Sequence, residues 1–285
     1  MNTVFIDDAT IDRWIAEDAP LLDLTTHLLA VGDRPAAMQW VLRGGGVVAC
    51  SEEAARIAQR CGATVTGLVA SGQRAAPGGT VVSAQGPAEA LLRAWKVAQN
   101  LLEHACGIAA ATDAMVAAVR AAAPKVAVLT TRKHAPGVKA ITLKSTLAGG
   151  AFPHRLGVGE TVLVFGQHRA LIGDWPAVAE RLQALGHAVA EKKIVIEAES
   201  LEEALAAVDA GADVVQFDKV SPDDLRAWCP RLRERAPGIG LLAAGGIRKD
   251  NAVAYATSGV DALVTSSLHY APPADVGVRI APLAA

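Results

Sequence analysis

The sequence predicts an α/β protein whose second part is a parallel barrel. After Pro124, short apolar runs alternate with helical segments, and each run ends in a polar or glycine cluster. The clearest strands end at Ile196, Phe217, Ala244 and Val264, and the spacing of these ends fits one strand plus one helix. A doubly wound sheet would show the same spacing. Because no GxGxxG motif opens a helix after a strand, the barrel is favoured.

The first part of the chain mixes short helices and strands, which predicts a second domain. Apolar periodicity predicts a helix over residues 7–17, and an alternating pattern predicts a strand over residues 38–43. Ser51, followed by two glutamates, is predicted to cap the next helix. Further strands are expected over residues 64–69 and 80–83.

A long helix is predicted to follow Pro87. It should run for about 35 residues, because Leu91, Trp95 and Leu102 belong to one continuous apolar stripe. Gly107 is predicted to divide this helix in two, since glycine is a poor helix former.

Composition excludes several classes of protein. The 285 residues are 52% hydrophobic and 20% charged, with a formal net charge of -2. This excludes disorder as the main state and provides no overall basic field for nucleic acid or anionic lipid. The four cysteines lack metal-ligand spacing, so reduced thiols are expected. The N-terminus lacks the pattern of a signal peptide and no run of 18 uncharged apolar residues occurs, so a cytoplasmic protein without membrane or nucleic-acid partners is expected.

Two carboxylates end neighbouring strands of the predicted barrel. Glu197 follows one apolar run and Asp218 follows the next, so both side chains should face the barrel mouth. Such a pair can bind a divalent cation, accept hydrogen bonds from ribose hydroxyls or stabilise a cationic sugar-like transition state. The alternative is that each is a strand-end cap or the partner of a nearby lysine.

Basic residues concentrate between the long helix and the acidic pair. Arg132 and Lys133 stand at a predicted strand end, and four more basic residues follow, namely Lys139, Lys144, His154 and Arg155. Arginine matches a carboxylate or phosphate with a planar fork, and lysine acts as a point charge. In a net-acidic chain this cluster indicates a pocket for a small anion, although a solvated basic face is the alternative.

Small residues follow the last two predicted strands. Gly245 and Gly246 come after one strand, and Thr265 and Ser266 come after the next. They leave backbone N–H groups open at positions where many barrels bind phosphate. A tight turn would explain a Gly-Gly pair equally well.

Seven motifs follow one another along the chain in an order that resembles one family. They are Asp23-Leu24-Thr25-Thr26, Asn100 with Gly107-Ile108-Ala109, Thr131-Arg132-Lys133 with Pro136-Gly137, Gly149-Gly150 with His154-Arg155-Leu156-Gly157, Glu197, Asp218, and Gly245-Gly246-Ile247. Over nearly the whole chain this order resembles quinolinate phosphoribosyltransferase, also called nicotinate-nucleotide pyrophosphorylase. The segments 160–165, 263–266 and 270–275 resemble more closely the ModD branch, which is named for molybdenum-transport operons and described as a pyrophosphorylase.

The resemblance implies an architecture. It implies a type II phosphoribosyltransferase-like α/β fold, with a sandwich-like α/β domain over residues 1–110 and an incomplete α/β barrel over residues 111–270. The tail, residues 271–285, is expected to return to the first domain. The resemblance also implies a homodimer, or a higher oligomer built from it, in which one subunit's N-terminal domain covers the other's barrel mouth and brings Lys96 to it.

The resemblance implies a pentosyltransferase reaction as well. A pyridine carboxylate nitrogen attacks C1 of phosphoribosyl pyrophosphate, and Mg²⁺ assists departure of pyrophosphate. Carried over by position, Glu197, Asp218 and Lys144 would be catalytic, and Glu197 and Asp218 would hold Mg²⁺. The residues expected to bind substrate are Lys96, Arg132, Lys133, His154, Arg155, Gly245, Gly246, Thr265 and Ser266.

Departures from the family pattern bear on the substrate. Lys96 stands where the quinolinate enzymes have an arginine, and Phe165-Gly166-Gln167-His168 stands where they have a lysine before Asp-Asn-His. Because a buried carboxylate without a cation is costly, this pocket should suit a monocarboxylate such as nicotinate better than a diacid. Ala244 also replaces the family's serine, so a side-chain donor near the expected phosphate site is lost.

Three functions are therefore carried forward from the sequence. The leading one is a ModD-like glycosyltransferase that moves a ribosyl or phosphoribosyl group to or from a nicotinate-like acid. The first alternative is ordinary carboxylating quinolinate phosphoribosyltransferase activity. The second is a non-catalytic protein that binds molybdate or another oxyanion at the same basic residues.

Overall fold

A computed structural model describes residues 4–283 of the chain. The described residues fall into two compact units. Unit 1 contains those within 1–113, 134–150 and 269–285, and unit 2 contains residues 114–133 and 151–268. We describe the two units separately.

The helices, in chain order, are α1 (Asp8–Asp18), α2 (Leu24–Leu28), α3 (Ser51–Arg60), α4 (Ala88–Ala122), α5 (Lys139–Ala148), α6 (Gly166–Ile172), α7 (Trp175–Gln183), α8 (Leu201–Asp209), α9 (Pro222–Arg235) and α10 (Ala252–Ala256). The strands are β1 (Pro35–Leu42), β2 (Gly46–Val47), β3 (Thr64–Leu68), β4 (Arg74–Ala75), β5 (Gly79–Pro87), β6 (Ala127–Thr130), β7 (Phe152–Pro153), β8 (Val162–Val164), β9 (Ile194–Ala198), β10 (Val214–Asp218), β11 (Gly240–Ala244), β12 (Ala262–Thr265) and β13 (Val276–Pro282). Short 3-10 turns cover Gly186–Val189 and Ser267–Tyr270.

Unit 1 is built on an antiparallel sheet with the strand order β13-β1-β5-β3. In β1, Met38 and Trp40 point to one face and are fully buried, as the alternating pattern predicts. Trp40 Nε1 donates to the carbonyl oxygen of Trp95 in α4 at 3.2 Å, so its polar atom is satisfied inside the core. The last strand of the chain, β13, pairs with β1 over seven positions, from Ala36↔Pro282 to Leu42↔Val276.

The start of α3 differs from the prediction. Cys50, not Ser51, is the cap residue, and it adopts a left-handed conformation with φ of 57° without a side-chain cap hydrogen bond. The Ser51 hydroxyl donates instead to the carbonyl oxygen of Val69 at 2.6 Å. The Ser51 hydroxyl therefore binds the carbonyl oxygen of Val69 and not the helix terminus, to which the sequence pattern had assigned it.

The long helix α4 is not divided at Gly107. It continues unbroken from Ala88 to Ala122. A Cβ at Gly107 would overlap the carbonyl oxygen of Pro272 and approach the backbone N of Ala274 to 3.0 Å. Gly107 therefore allows the C-terminal segment to pack closely against the helix, and it does not break the helix. Local propensity does not reveal this close approach.

By length and composition α4 could span a membrane: an 18-residue window has a mean hydropathy of 1.4. Half of that window is buried in the structure. Leu91, Ala94, Ala98 and Leu102 belong to the hydrophobic core of unit 1. Burial within the fold accounts for the apolar stripe of this helix.

Residues 134–150 group with unit 1, whereas the sequence analysis assigned them to the barrel domain. Within unit 1, α5 contacts α3 through Lys144, which forms ion pairs with Glu52 and Glu53 at 2.9 Å and 2.6 Å. Residues 271–282 also lie in unit 1, through the pairing of β13 with β1.

Unit 2 is an open parallel barrel. Its seven-stranded sheet has the order β7-β6-β12-β11-β10-β9-β8. Strands β8 to β12 lie side by side in chain order, and β6, with β7 on its other side, pairs with β12. Among the described residues, β7 and β8 are the edges of this sheet and are not paired with each other. The strands predicted at 194–196, 214–217, 240–244 and 262–264 are confirmed as β9 to β12. The incomplete α/β barrel and the separate antiparallel α/β region confirm the predicted fold class.

Candidate active site

A cavity of about 410 Å³ opens at the carboxyl ends of the barrel strands. All the residues around it belong to unit 2. They are Thr131, Arg132, Lys133, His154, Arg155, Leu163, Phe165, Glu197, Gln216, Asp218, Lys219, Ala244, Gly245, Gly246, Ile247, Arg248, Val264, Thr265, Ser266 and Ser267. They come from all seven strands or the residues directly after them, which is the arrangement expected at a barrel mouth.

One side of the cavity is basic. The residues after β6 supply Arg132 and Lys133, and the residues after β7 supply His154 and Arg155; we call these four the basic wall. The backbone N of His154 donates to the carbonyl oxygen of Thr130 at 2.9 Å, which fixes β7 beside β6 at this point. The sequence placed these residues together, and the structure brings all four to the cavity.

The basic wall is partly desolvated. Burial and then the neighbouring charge of Arg132 lower the pKa of Arg155 from its usual value, and Glu160 partly offsets this. Burial and then the charge of Arg155 lower the pKa of His154, so its imidazole is neutral at pH 7. Closely spaced and partly buried cations are stabilised when an anion binds to them. The basic wall therefore suits a carboxylate or phosphate.

Glu197 of β9 and Asp218 of β10 form the acidic pair of the cavity. They come from adjacent parallel strands, in which Glu197 is in register with Gln216. Gln216 Nε2 donates to Glu197 Oε2 at 3.3 Å. Burial and then the charge of Asp218 raise the pKa of Glu197, because ionising it places two negative charges in one half-buried site.

Leu163 and Phe165 give the cavity an apolar surface. Leu163 lies in β8, and Phe165 directly follows that strand. The guanidinium carbon of Arg155 lies 5.8 Å from the centre of the Phe165 ring. His168 stacks on the same ring at 5.7 Å, and its Nδ1 accepts a hydrogen bond from the backbone N of Phe165 at 3.0 Å. The cavity thus has an aromatic surface where the family pattern has a lysine.

The residues after β11 and β12 complete the cavity. Gly245 and Gly246 have φ of 81° and 72°, which favours glycine at both positions. Thr265 Oγ1 donates to the carbonyl oxygen of Ile247 at 2.7 Å and accepts from the backbone N of Ser267 at 3.0 Å. The Thr265 hydroxyl therefore holds the Gly-Gly turn in place, and Ala244 offers no hydroxyl to a ligand.

Two cations of the cavity were absent from the sequence prediction. Lys219 follows Asp218 directly, and Arg248 stands two residues after Gly246. Their positions at strand ends were the available signal, and the same signal had pointed to Glu197, Asp218, Arg132 and Lys133. With them, the cavity is lined by five cations, Arg132, Lys133, Arg155, Lys219 and Arg248, against two carboxylates.

Two predicted site residues lie in unit 1 and do not line this cavity. Lys144 is 2% exposed and forms ion pairs with Glu52 and Glu53 within unit 1. Lys96 of α4 lies 4.7 Å from the centre of the Trp95 ring, and its Nζ donates to Gln99 Oε1 at 3.2 Å. The catalytic role of Lys144 and the substrate-binding role of Lys96 stay predictions that rest on the resemblance.

The acidic pair suits a magnesium ion of the kind that a substrate helps to bind. Within residues 4–283 no group of three or more His, Cys, Asp or Glu side chains is arranged to hold a metal. Mg²⁺ keeps several waters and is commonly held by one or two carboxylates together with substrate phosphates. Glu197 and Asp218 provide those two carboxylates; burial and then the charge of Asp218 raise the pKa of Glu197, and a cation between the two carboxylates would offset that charge.

Two family descriptions match the chain. The quinolinate phosphoribosyl transferase N-terminal domain matches residues 23–106, and the C-terminal domain of the same enzyme matches residues 108–279. Together they cover most of the sequence, and the second one contains every residue that lines the cavity.

Individual relatives agree with this match. "Putative pyrophosphorylase ModD" of Rhodobacter capsulatus is 42% identical over 87% of this chain and 95% of its own length. "Nicotinate-nucleotide pyrophosphorylase [carboxylating]" of Homo sapiens is 32% identical over 93% of this chain and 88% of its own. The crystal structure of NadC from Streptococcus pyogenes superimposes with a TM-score of 0.87 at 25% identity, covering 97% of each chain. These matches confirm the resemblance drawn from motif order.

Proposed function

The chain belongs to the quinolinate phosphoribosyl transferase family, a family of pentosyltransferases, and we propose that it transfers a ribosyl or phosphoribosyl group to or from a nicotinate-like acid. The observation that carries the proposal is the cavity of unit 2, which is lined by both the basic wall and the acidic pair. An anionic acceptor and a developing sugar cation need these two kinds of group in one place.

The basic wall binds the acceptor in this proposal. Arg132 and Arg155 pair with the carboxylate of the acid, and Lys133 adds a point charge. The pyridine nitrogen then forms a bond to C1 of the ribose while the bond from C1 to the leaving oxygen breaks, and the electron pair of that bond leaves with the departing group. The positive charge that develops on the ribose is stabilised by Glu197 and Asp218.

Mg²⁺ is the cofactor we propose for this site, held by Glu197 and Asp218. It would neutralise negative charge on a departing pyrophosphate. A readout independent of turnover is available: Mg²⁺ should raise the melting temperature of the protein in the presence of pyrophosphate. Loss of this shift in Asp218→Asn would support the assignment, and an unchanged shift would contradict it.

The acid is proposed to carry one carboxylate. Leu163 and Phe165 give the cavity an apolar surface where a second carboxylate of quinolinate would need a cation. Arg155, which pairs with the carboxylate of the acid in this proposal, lies 5.8 Å from the centre of the Phe165 ring. The alternative is ordinary carboxylating quinolinate turnover, and the human relative is named a carboxylating nicotinate-nucleotide pyrophosphorylase.

We also propose that the enzyme is a cytoplasmic homodimer, or a larger assembly of such dimers, in which Lys96 acts at the cavity of the other subunit. Mixing an inactive Lys96→Met protein with an inactive Asp218→Asn protein tests this. Shared sites would restore part of the activity, because some sites would combine two intact contributions. No recovery in refolded mixtures would contradict a shared site.

The experiment that tests the function is a matrix of substrates. The purified protein is incubated with Mg²⁺ and either quinolinate or nicotinate, each against phosphoribosyl pyrophosphate, nucleosides and nucleotides, and the products are followed by mass spectrometry. A ribosylated nicotinate supports the proposal. Release of nicotinate mononucleotide from quinolinate at a comparable rate would instead establish the quinolinate activity.

A non-catalytic oxyanion binder is the second candidate, favoured by the excess of cations over carboxylates around the cavity. Such a protein would bind molybdate or phosphate and would need Arg132, Lys133 and Arg155 but not the acidic pair. Calorimetric titration with molybdate decides between the two. Absence of heat at millimolar molybdate, together with turnover in the substrate matrix, would exclude the binder.

A further inference from the structure

We propose that Gln216 is a positioning residue of the transfer reaction, whose amide holds one oxygen of the Glu197 carboxylate so that the other oxygen faces the ligand. The proposal rests on the proposed function and deepens it, because it names the group that orients a member of the acidic pair. Gln216 lies in β10, two residues before Asp218, and lines the cavity.

The strand β10 directs the Gln216 side chain into the barrel. Successive side chains of a strand point to opposite faces, so Gln216 and Asp218 share the face that lines the cavity. Phe217, between them, points to the other face, where its ring centre lies 6.1 Å from that of Trp228 in α9. In the parallel sheet Gln216 is in register with Glu197 of β9. The two side chains are therefore neighbours on the inner face of the barrel.

A glutamine is unexpected at this position. The interiors of parallel barrels are filled mainly with Val, Ile and Leu. The neighbouring strands β8 and β11 contribute Leu163 and Ala244 to the lining of the cavity, and both are apolar. Gln216 is 5% exposed, so its amide is removed from water. A buried amide is unfavourable unless its hydrogen bonds are made within the protein.

Only one end of the Gln216 amide is hydrogen-bonded. Nε2 donates to Glu197 Oε2 at 3.3 Å, whereas Oε1 is buried and has no hydrogen-bond partner within residues 4–283. A methionine of similar length would fill the same space without burying an unpaired carbonyl oxygen. The bond to Glu197 is therefore the interaction that the amide alone provides, and polar groups that packing does not require are typical of functional sites.

This hydrogen bond determines how Glu197 presents its carboxylate. Oε2 is engaged by Gln216, and Oε1 makes no hydrogen bond or ion pair with another residue in the described part of the chain. The terminal torsion of a glutamate is otherwise broad, so holding one oxygen fixes the direction of the second. A developing sugar cation then meets a carboxylate that is already oriented, which removes the cost of orienting it in the transition state.

Asp218, the other member of the acidic pair, is held by different neighbours. Lys219 has a left-handed backbone with φ of 58°, and its Nζ lies 3.5 Å from Asp218 Oδ2. A Cβ at Gly245 would lie 2.5 Å from Asp218 Oδ1, so the Gly-Gly turn packs directly against this carboxylate. Among the described residues Gln216 makes no hydrogen bond to Asp218. The effect of Gln216 on the reaction should therefore pass through Glu197.

A double-mutant cycle tests this coupling. The full-length proteins are Gln216→Met, Glu197→Gln and the two changes combined, and kcat and KM are measured separately for each with the substrates of the matrix. Leu242→Met is the matched control, because Leu242 is in register with Gln216 on the other neighbouring strand and does not line the cavity. If Gln216→Met does not fold, Gln216→Asn replaces it, since its amide is too short to reach Glu197.

Gln216→Met should lower kcat by about 10- to 100-fold and leave KM for the acid within about twofold, because the acid binds at the basic wall. In the Glu197→Gln background the same change should have no further effect, since the charge that Gln216 orients is already gone. Leu242→Met should keep the wild-type kcat. Full kcat in Gln216→Met would overturn the proposal, and so would an equal loss in both backgrounds.

The melting temperature separates positioning from a structural role. Gln216→Met should melt no lower than the wild type, because it removes an unpaired buried carbonyl oxygen. A lower melting temperature with an unchanged kcat would make Gln216 a structural residue and overturn the proposal.

Crystal structures of the wild type and of Gln216→Met give a readout that does not depend on turnover. The Glu197 carboxylate should hold one orientation in the wild type and a different one, or several, in the variant. A displaced Glu197, without transfer by the wild type to any acid of the matrix, supports the positioning role and contradicts the proposed function. Equal transfer by both proteins with Glu197 in the same place supports the proposed function and overturns the positioning role.

Discussion

Two lysines of this protein lie beside carboxylates in opposite environments. Lys144 in unit 1 is 2% exposed and contacts Glu52 and Glu53, whereas Lys219 in unit 2 is 79% exposed and contacts Asp218. Burial acts to lower the pKa of Lys144, but hydrogen bonds to Glu53 and Glu52 outweigh it and raise the pKa. In the buried cluster Lys144 is paired with both carboxylates, although Glu53 Oε1 has no hydrogen-bond partner, whereas the cavity keeps its charges exposed to a ligand.

The difference teaches how to interpret a charged pair in this fold. The carboxylate of Glu52 accepts from Ser71 and Lys144, and despite its burial these hydrogen bonds lower its pKa to about 2. In the cavity the opposite holds, because burial and Asp218 raise the pKa of Glu197. The ionised form of Glu52 is thus stabilised by its partners, whereas the ionised form of Glu197 is destabilised by burial and by the charge of Asp218.

The largest expected effect comes from removing the acidic charges of the cavity. Glu197→Gln or Asp218→Asn should lower turnover by about 10²–10⁴-fold, because the developing sugar cation loses its counter-charge. Glu234→Gln, an exposed position on α9, is the matched control. Full activity in both cavity variants, measured by steady-state kinetics, would remove the mechanism.

Lys144→Met should act on stability. Removing one partner of the buried cluster leaves Glu53 charged and unpaired, which should cost about 3–5 kcal/mol of unfolding free energy. Urea denaturation measures this cost, and the double variant Lys144→Met with Glu53→Leu should recover part of it. If instead the folded single variant kept its stability and lost turnover, Lys144 would be a catalytic residue as the resemblance implies.

Glycine positions distinguish tight packing from open surface. Gly107→Ala places a methyl group against the backbone of Pro272 and should destabilise the protein by about 1–3 kcal/mol. Gly238→Ala, in unit 2, meets nothing within 4 Å and should leave the melting temperature unchanged. Equal thermal shifts in the two variants would show that the C-terminal segment does not pack on α4 in solution.

The apolar surface of the cavity can be converted. Phe165→Lys should strengthen quinolinate binding by about tenfold, equivalent to about 1.4 kcal/mol, because the second carboxylate gains a cation. Phe152→Lys adds the same charge at an exposed position that does not line the cavity. Isothermal titration with quinolinate should distinguish them, and identical affinities would mean that Phe165 does not set the choice of acid.

The smallest effect concerns pH and stability. Because the pKa of Glu197 is raised above its ordinary value of 4.5, the folded protein holds this proton at pH values where the unfolded chain has lost it. Ionised Glu197 is therefore unfavourable in the folded state above the raised pKa, and this cost disappears as the pH falls below 4.5. Glu197→Gln should melt slightly higher than the wild type at pH 8 and equally at pH 4. A lower melting temperature at pH 8 would contradict the raised pKa.

Much of the barrel could be predicted because its signals are local. Each strand from β9 to β12 is a short apolar run, and the polar residue or glycine that ends it marks the barrel mouth, as at Glu197 and Asp218. Motif order also identified the family, which the later matches confirmed. Lys219 and Arg248 were missed because a lone cation at a strand end looks like any solvated charge.

The sequence by itself determined the alternation of strands and helices, the acidic pair, the basic wall and the family, because all of these depend on residue type and spacing along the chain. Only the tertiary structure decided that Gly107 serves a crossing segment, that Lys144 is buried with two glutamates, and that Lys219 holds a left-handed backbone beside Gly245. These features depend on which distant segments meet. Local propensity carries no information about such contacts, so burial, and with it the role of each charge, follows only from the folded chain.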